Sequence, residues 1–92
     1  MPVTVKIPAQ LRATTNGESE LEVGGATVGE ALDAVYSRHG ELRDRITDSG
    51  ELRRFVNVYV SGEDIRFGDG LETSLDDGAE VTILPAVAGG AV

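Results

Sequence analysis

The chain has 92 residues, of which 16 are acidic and eight are basic, so its formal net charge is −8. That charge opposes nucleic-acid binding, which depends on neutralising phosphates with lysine and arginine. An apolar content of 40% is enough for one small core, and the lack of cysteine excludes disulfides, cysteine-ligated metals and thiol nucleophiles. Since no segment has the length of a membrane span or the pattern of a signal peptide, we expect a cytoplasmic domain whose charge steers it towards a basic patch on a protein partner.

The first 23 residues predict a β-hairpin with a long loop. Val3, Val5 and Ile7 alternate with polar residues, which is the period-two pattern of a half-buried strand. Pro8 ends this strand, and a second alternation follows a turn-prone stretch at residues 19–23.

Residues 28–39 are predicted to form the main helix. Thr27 and Glu30 have the spacing of a capping box, in which the hydroxyl accepts from the amide of Glu30 and the carboxylate accepts from the amide of Thr27. The apolar positions of one helix face are Val28, Ala31, Leu32, Val35 and Tyr36.

The only histidine of the sequence lies at the expected end of this helix. Arg38 and His39 lie at the negative end of the helix dipole, and Gly40 is placed to adopt the left-handed conformation that often follows a helix. No catalytic partner stands near His39 at a useful spacing, so we interpret it as structural.

The second half of the chain completes the order β-β-α-β-(β)-β. Residues 41–48 predict a short helix or a turn, residues 55–60 a strand, residues 64–66 a short edge strand and residues 81–84 the last strand. The expected architecture is therefore α+β, with one main helix on one face of a mixed four- or five-stranded sheet.

The sequence offers only weak candidates for catalytic residues. The carboxylate pairs Glu63-Asp64 and Asp76-Asp77 adjoin glycine turns, where acidic side chains are common. Gly68 and Gly70 do not open a helix after a strand, so they do not form a phosphate loop. We expect no catalysis by this domain alone, and neither a metal site nor a bound cofactor.

A different kind of site is expected on the open face of the sheet. Strand alternation that buries the valines of residues 56–60 turns Phe55 and Tyr59 outward, and the same parity places Lys6 and Leu84 on that face. This mixture is typical of a protein interface. The alternative is ordinary scattered surface residues.

The last residues predict a flexible tail, so that a domain at residues 1–85 precedes a tail at residues 86–92. Only small residues and the pair Gly89-Gly90 follow Pro85, and nothing there can anchor the chain in a core. Any chemistry in this segment must use a C-terminal carboxylate. The alternative is a frayed end without a role.

Together these features resemble the MoaD/ThiS sulfur carriers. The resemblance rests on the helix opening Thr27-Val28-Gly29-Glu30-Ala31-Leu32, on the segment Asp77-Gly78-Ala79-Glu80-Val81-Thr82-Ile83-Leu84-Pro85, and on Gly89-Gly90. Residues 54–60 and 84–90 resemble the CysO type of actinobacteria, which serves cysteine biosynthesis. The resemblance implies a β-grasp, ubiquitin-like fold.

The resemblance also implies a mechanism in which the protein is a co-substrate of partner enzymes. An E1-like enzyme adenylates the carboxylate of Gly90, which then becomes a thiocarboxylate and donates sulfur to a biosynthetic enzyme for cysteine, a cofactor or a thiosugar. Gly89 and Ala88 thread the active site of the partner. Ala91-Val92 follow the diglycine, so a JAMM-type metalloprotease is expected to trim them first.

Two alternatives stay open at this point. One is a ubiquitin-like modifier that is conjugated to lysines through Gly90. The other is a non-catalytic β-grasp interaction module whose tail has no chemistry.

Overall fold

The computed structural model describes residues 2–53 and 56–85, which form a five-stranded sheet and a separate two-stranded hairpin together with helices. The elements are β1 (Pro2–Lys6), β2 (Glu20–Gly24), α1 (Val28–Arg38), α2 (Gly40–Ile46), β3 (Thr47–Asp48), β4 (Glu51–Leu52), β5 (Val56–Val60), β6 (Glu63–Asp64) and β7 (Glu80–Pro85). Short 3-10 helices span Ala9–Thr15, Ile65–Phe67 and Gly70–Glu72. The predicted order is confirmed, but the edge strand expected at residues 64–66 is Glu63–Asp64, and a 3-10 helix begins at Ile65. The hairpin of β3 and β4 was not predicted.

The sheet has the strand order β2-β1-β7-β5-β6. β1 and β7 are parallel, and the other neighbours are antiparallel, so the sheet is mixed as predicted. β7 is the central strand, and it is also the last strand in the described part of the chain. The described residues therefore end in the middle of the sheet.

The core lies between α1 and one face of the sheet. Val5 of β1 and Ile83 of β7 are fully buried, and Leu32 of α1 is 1% exposed. The predicted helix stripe is confirmed at its four aliphatic positions, while Tyr36 is only partly buried. Full burial of one such side chain stabilises a fold by roughly 1.5–3 kcal/mol, so each of these positions contributes substantially to the stability.

The N-terminus of α1 differs in one detail from the predicted capping box. The Thr27 hydroxyl accepts a hydrogen bond from the Glu30 amide at 3.2 Å, as expected. The Glu30 carboxylate, however, accepts from the amide of Ala26 at 2.9 Å instead of that of Thr27. Thr27 forms an isolated antiparallel bridge with Ser74, so the extended chain presents the preceding amide to the carboxylate.

The end of α1 corrects a second expectation. Gly40 is not in the left-handed conformation; it is the first residue of α2, which follows α1 at once. His39 forms the corner between the helices, and its Nε2 atom lies 3.9 Å from a carboxylate oxygen of Glu18. Leu42 and Ile46 are buried, which explains why the chain continues as a helix here.

Candidate functional site

The candidate site begins at the last described residues of the chain. In the β5–β7 pair, Leu84 lies opposite Asn57, and Pro85 lies opposite Val56. Pro85 belongs to β7 and pairs with β5, so the strand reaches one residue beyond the predicted end at Leu84. The pairing with β5 reaches Pro85, whereas the pairing with β1 ends at Thr82.

Four predicted site residues lie outside the described residues. These are Phe55, Ala88, Gly89 and Gly90. Their predicted roles in docking, threading and acyl transfer therefore stay predictions.

The other predicted site residues share the open face of the sheet. Lys6 of β1 lies opposite Thr82 of β7, and Thr82 lies opposite Tyr59 of β5. Because alternate residues of a strand share a face, Leu84 is on the same side as Thr82. The structure thus brings Lys6, Tyr59 and Leu84 together on one face, which we call the open face.

The open face has an apolar region next to the tail start. Leu84 is 43% exposed, and among the described residues it is one of three large apolar side chains with substantial exposure, the others being Phe67 and Leu71. Tyr59 is partly buried in the neighbouring strand. An aromatic ring beside an exposed leucine is the composition found at the centres of protein interfaces.

Charge is distributed unevenly on this face. The ammonium of Lys6, the only lysine in the sequence, lies 3.6 Å from a carboxylate oxygen of Glu80. Glu20 of β2 pairs with Lys6 on one side, and Asp64 of β6 pairs with Tyr59 on the other. Carboxylates therefore border the apolar region. Such a border is complementary in charge to a basic surface on a partner.

Arg66 supports this region, although no sequence pattern singles it out. Its guanidinium donates to the side-chain oxygen of Asn57 and to the carbonyl of Val56, both at 2.7 Å. Its backbone amide donates to a carboxylate oxygen of Asp64 at 2.8 Å. Since β6 pairs only with Tyr59 and its neighbour Val60, Arg66 holds the part of β5 that β6 does not reach.

A groove in the described part of the chain adjoins the open face at Tyr59. It has a volume of about 690 Å³ and is lined by the β5–β6 turn, Phe67 and Ser74. Its ionisable side chains are Tyr59 and the acids of β6, with no base beside a nucleophile, so it has no arrangement for covalent catalysis. Within residues 2–53 and 56–85, no helix is long and apolar enough to span a membrane.

The fold defines a class of protein, the ubiquitin-like β-grasp proteins. The sequence model of the ThiS family matches residues 5–90, and the chain therefore belongs to the ThiS family. This confirms the resemblance on which the sequence analysis relied.

Within the family, the chain is similar to sulfur carriers of the CysO type. It is 45% identical to the sulfur carrier protein CysO of Mycobacterium tuberculosis over 98% of this chain and 100% of the relative. The structure of the Amycolatopsis orientalis BexX/CysO complex matches with a TM-score of 0.88 and 53% identity, covering 96% of this chain and 99% of the other.

A similar structure also comes from a modifier protein. The small archaeal modifier protein 1 of Methanosarcina acetivorans matches with a TM-score of 0.87 and 34% identity, covering 97% of this chain and 96% of the other. Carriers and modifiers thus share this fold.

Proposed function

We propose that this protein is a sulfur carrier whose C-terminal Gly90, once exposed, is converted to a thiocarboxylate. The observation that carries the proposal is the extent of the family match, which ends at Gly90 and leaves out Ala91-Val92. The similarity to carriers of the CysO type over nearly the whole chain supports the same conclusion.

The chemistry requires two displacement steps on partner enzymes. The Gly90 carboxylate attacks the α-phosphate of ATP, and pyrophosphate leaves. A sulfide donor then attacks the acyl carbon, and AMP leaves with the electron pair of the broken carbon–oxygen bond. The domain is a co-substrate in both steps, since its own side chains take no part in them.

The sequence of the tail explains why the reacting group must be a carboxylate of the backbone. Gly89 and Gly90 have no side chain, so the chain can enter a channel that is too narrow for other residues. The five residues after Pro85 span at most about 17 Å when fully extended. The partner must therefore hold its nucleotide within that distance of the end of β7.

Docking is assigned to the open face together with Phe55. Leu84 and Tyr59 supply apolar contact beside the tail start, and Lys6 supplies a cation within an acidic border. We assign this surface to an E1-like adenylating enzyme and, in a later step, to the sulfur-accepting enzyme of cysteine, cofactor or thiosugar biosynthesis. The cytoplasm is the proposed setting.

Activation requires the removal of Ala91-Val92, because a peptide-bonded Gly90 has no free carboxylate. We assign this step to a JAMM-type metalloprotease. Intact mass of the protein from its native cells tests both steps. The expected species lacks Ala91-Val92, and a fraction of it carries sulfur in place of one carboxylate oxygen. A population ending only at Val92 would contradict the proposal.

A second function is conjugation to lysines of other proteins through Gly90. The similarity to small archaeal modifier proteins, one of which is 40% identical over 71% of the chain, favours it. It needs the same trimmed and activated Gly90. Isopeptide-linked adducts in cells would show this function, and their absence beside a thiocarboxylate species would leave the carrier function alone.

A further inference from the structure

One edge of the five-stranded sheet is formed by a strand that pairs on one side only. β2 stands at the end of the strand order, and its five residues pair with β1. Within residues 2–53 and 56–85, no other strand lies beside it. An edge strand presents unpaired amide and carbonyl groups, which can pair with a strand of another chain. Since the opposite edge strand, β6, has only two residues, β2 offers the longer row of such groups.

The register of β1 and β2 shows which backbone groups point outward. The amide of Ile7 donates to the carbonyl of Ser19 at 2.8 Å. In an antiparallel ladder, pairs that exchange hydrogen bonds alternate with pairs that do not. Leu21 therefore directs its backbone groups towards β1, whereas those of Glu20 and Glu22 point away from it. An added strand can bond to the amides and carbonyls of these two exposed residues.

The side chains of β2 form two rows of different chemistry. Leu21 and Val23 are 4% and 5% exposed and belong to the core that α1 covers. Glu20 lies opposite Lys6 of β1, so Glu20 and Glu22 belong to the open face. In the described part of the chain, neither carboxylate forms an ion pair. An added strand therefore places one set of alternate side chains beside two carboxylates and the other set beside two apolar residues.

This arrangement discriminates between possible strands. Like charges directly opposite each other destabilise a strand pair, whereas opposite charges stabilise it. A second copy of β2 would place its own glutamates next to Glu20 and Glu22, and each chain has a net charge of −8. A strand with lysine or arginine at alternate positions instead meets both carboxylates with complementary charge. The occupant that fits this edge is therefore a basic strand of a different protein.

We propose that the outer edge of β2 binds an extended segment of a partner protein, in which lysine or arginine alternates with apolar residues. Backbone hydrogen bonds to Glu20 and Glu22 hold the segment as an added strand, and the two carboxylates determine its preference for cations. The edge adjoins the open face, so one partner can cover that face and add this strand to the sheet. The surface uses neither the tail nor its activation, and its test is therefore independent of the proposed function.

The test titrates the peptide acetyl-Lys-Val-Lys-Val-Lys-Val-amide into the isotope-labelled full chain and follows the amide signals by NMR. The signals of Glu20 and Glu22 should shift in a saturable way at millimolar peptide, and hydrogen exchange of both amides should slow. A peptide with glutamate in place of lysine should bind at least about tenfold more weakly, because it sets like charges opposite each other. The inference is overturned if these signals do not shift or if both peptides bind equally. Signals that change with protein concentration alone would assign the edge to a second copy and would also overturn it.

Glu22→Pro and Glu22→Ala form a matched pair of variants. Both lack the carboxylate, but only the proline variant also lacks the outward amide, which takes no part in the pairing with β1. The alanine variant should bind the lysine peptide about threefold more weakly than the original chain, and the proline variant should not bind it. Equal binding by the two variants would contradict the role of the backbone, and unchanged binding by Glu22→Ala would contradict the role of the carboxylate. The unfolding midpoint shows whether each variant keeps the fold, and if the proline variant does not fold, Glu22→Ala and the two peptides still decide.

Discussion

Two substitutions distinguish the proposed docking residues from the proposed reacting residue by their effects on affinity and on adenylation. Tyr59→Ala removes a large contact from the open face, and residues of this kind often cost about 2 kcal/mol or more at interface centres. Calorimetry with the adenylating partner should therefore show weakened binding, and saturating enzyme should recover much of the adenylation rate. Gly90→Ala should instead keep near-normal affinity and give little acyl-adenylate, because its added methyl group crowds the channel.

Both variants are compared in chains that end at residue 90, with pyrophosphate exchange as the measure of adenylation. Normal affinity of Tyr59→Ala would mean that the open face is ordinary surface. The partner would then hold the chain by its tail and the flanking loops.

Tyr36 provides a residue-scale test of the packing around α1. Burial raises the pKa of its phenol from 10.0 to about 12, and the nearby carboxylate of Asp33 adds to this effect. In the unfolded chain the phenol loses its proton at lower pH, so the free energy of unfolding should fall as pH rises from about 10 to 12.

Tyr59→Phe leaves Tyr36 as the only tyrosine, so ultraviolet absorbance follows its phenol alone. The folded variant should titrate near pH 12. A midpoint near 10 in the folded protein would show that Tyr36 is not packed as the structure describes.

Single residues show which features strand parity predicts and which contacts it cannot predict. Lys6, Tyr59 and Leu84 were assigned to one face from strand parity alone, because side chains alternate with period two. The contacts of Arg66 with β5 and of His39 with Glu18 join positions distant in the chain, and no local pattern encodes them.

At the scale of elements, the packing of α1 provides a test of the predicted fold. Leu32 is 1% exposed in the centre of the helix stripe, so Leu32→Ala should lower the free energy of unfolding by about 2–5 kcal/mol. Asp33→Ala, on the exposed side of the same helix, should change it by no more than about 0.5 kcal/mol. Chemical denaturation of both variants measures the difference, and equal losses would mean that the helix phase is wrong.

The long elements were predictable, and the short ones were not. β1, β2, β5, β7 and α1 each have enough residues to show a hydrophobic period. The hairpin of β3 and β4 has two residues in each strand, and the 3-10 segment Ala9–Thr15 lies within the loop of the predicted first hairpin. Segments this short take their conformation from the surfaces against which they pack.

At the scale of the molecule, the sheet order bears on the proposal that one domain serves two enzymes. The last described strand is central, and its final residues lie beside the open face. A net charge of −8 should speed encounter with a basic partner, and added salt should slow that encounter. In the proposed function, the domain supplies recognition and the tail supplies the reacting group.

The most direct test of this division is pyrophosphate exchange by the E1-like partner with two chains, one ending at Gly90 and one ending at Val92. The chain ending at Gly90 has the free carboxylate and should support exchange at once. The full chain should support exchange only after a peptidase has removed Ala91-Val92. Equal exchange by both chains without any peptidase would contradict the assignment of Gly90 as the reacting residue.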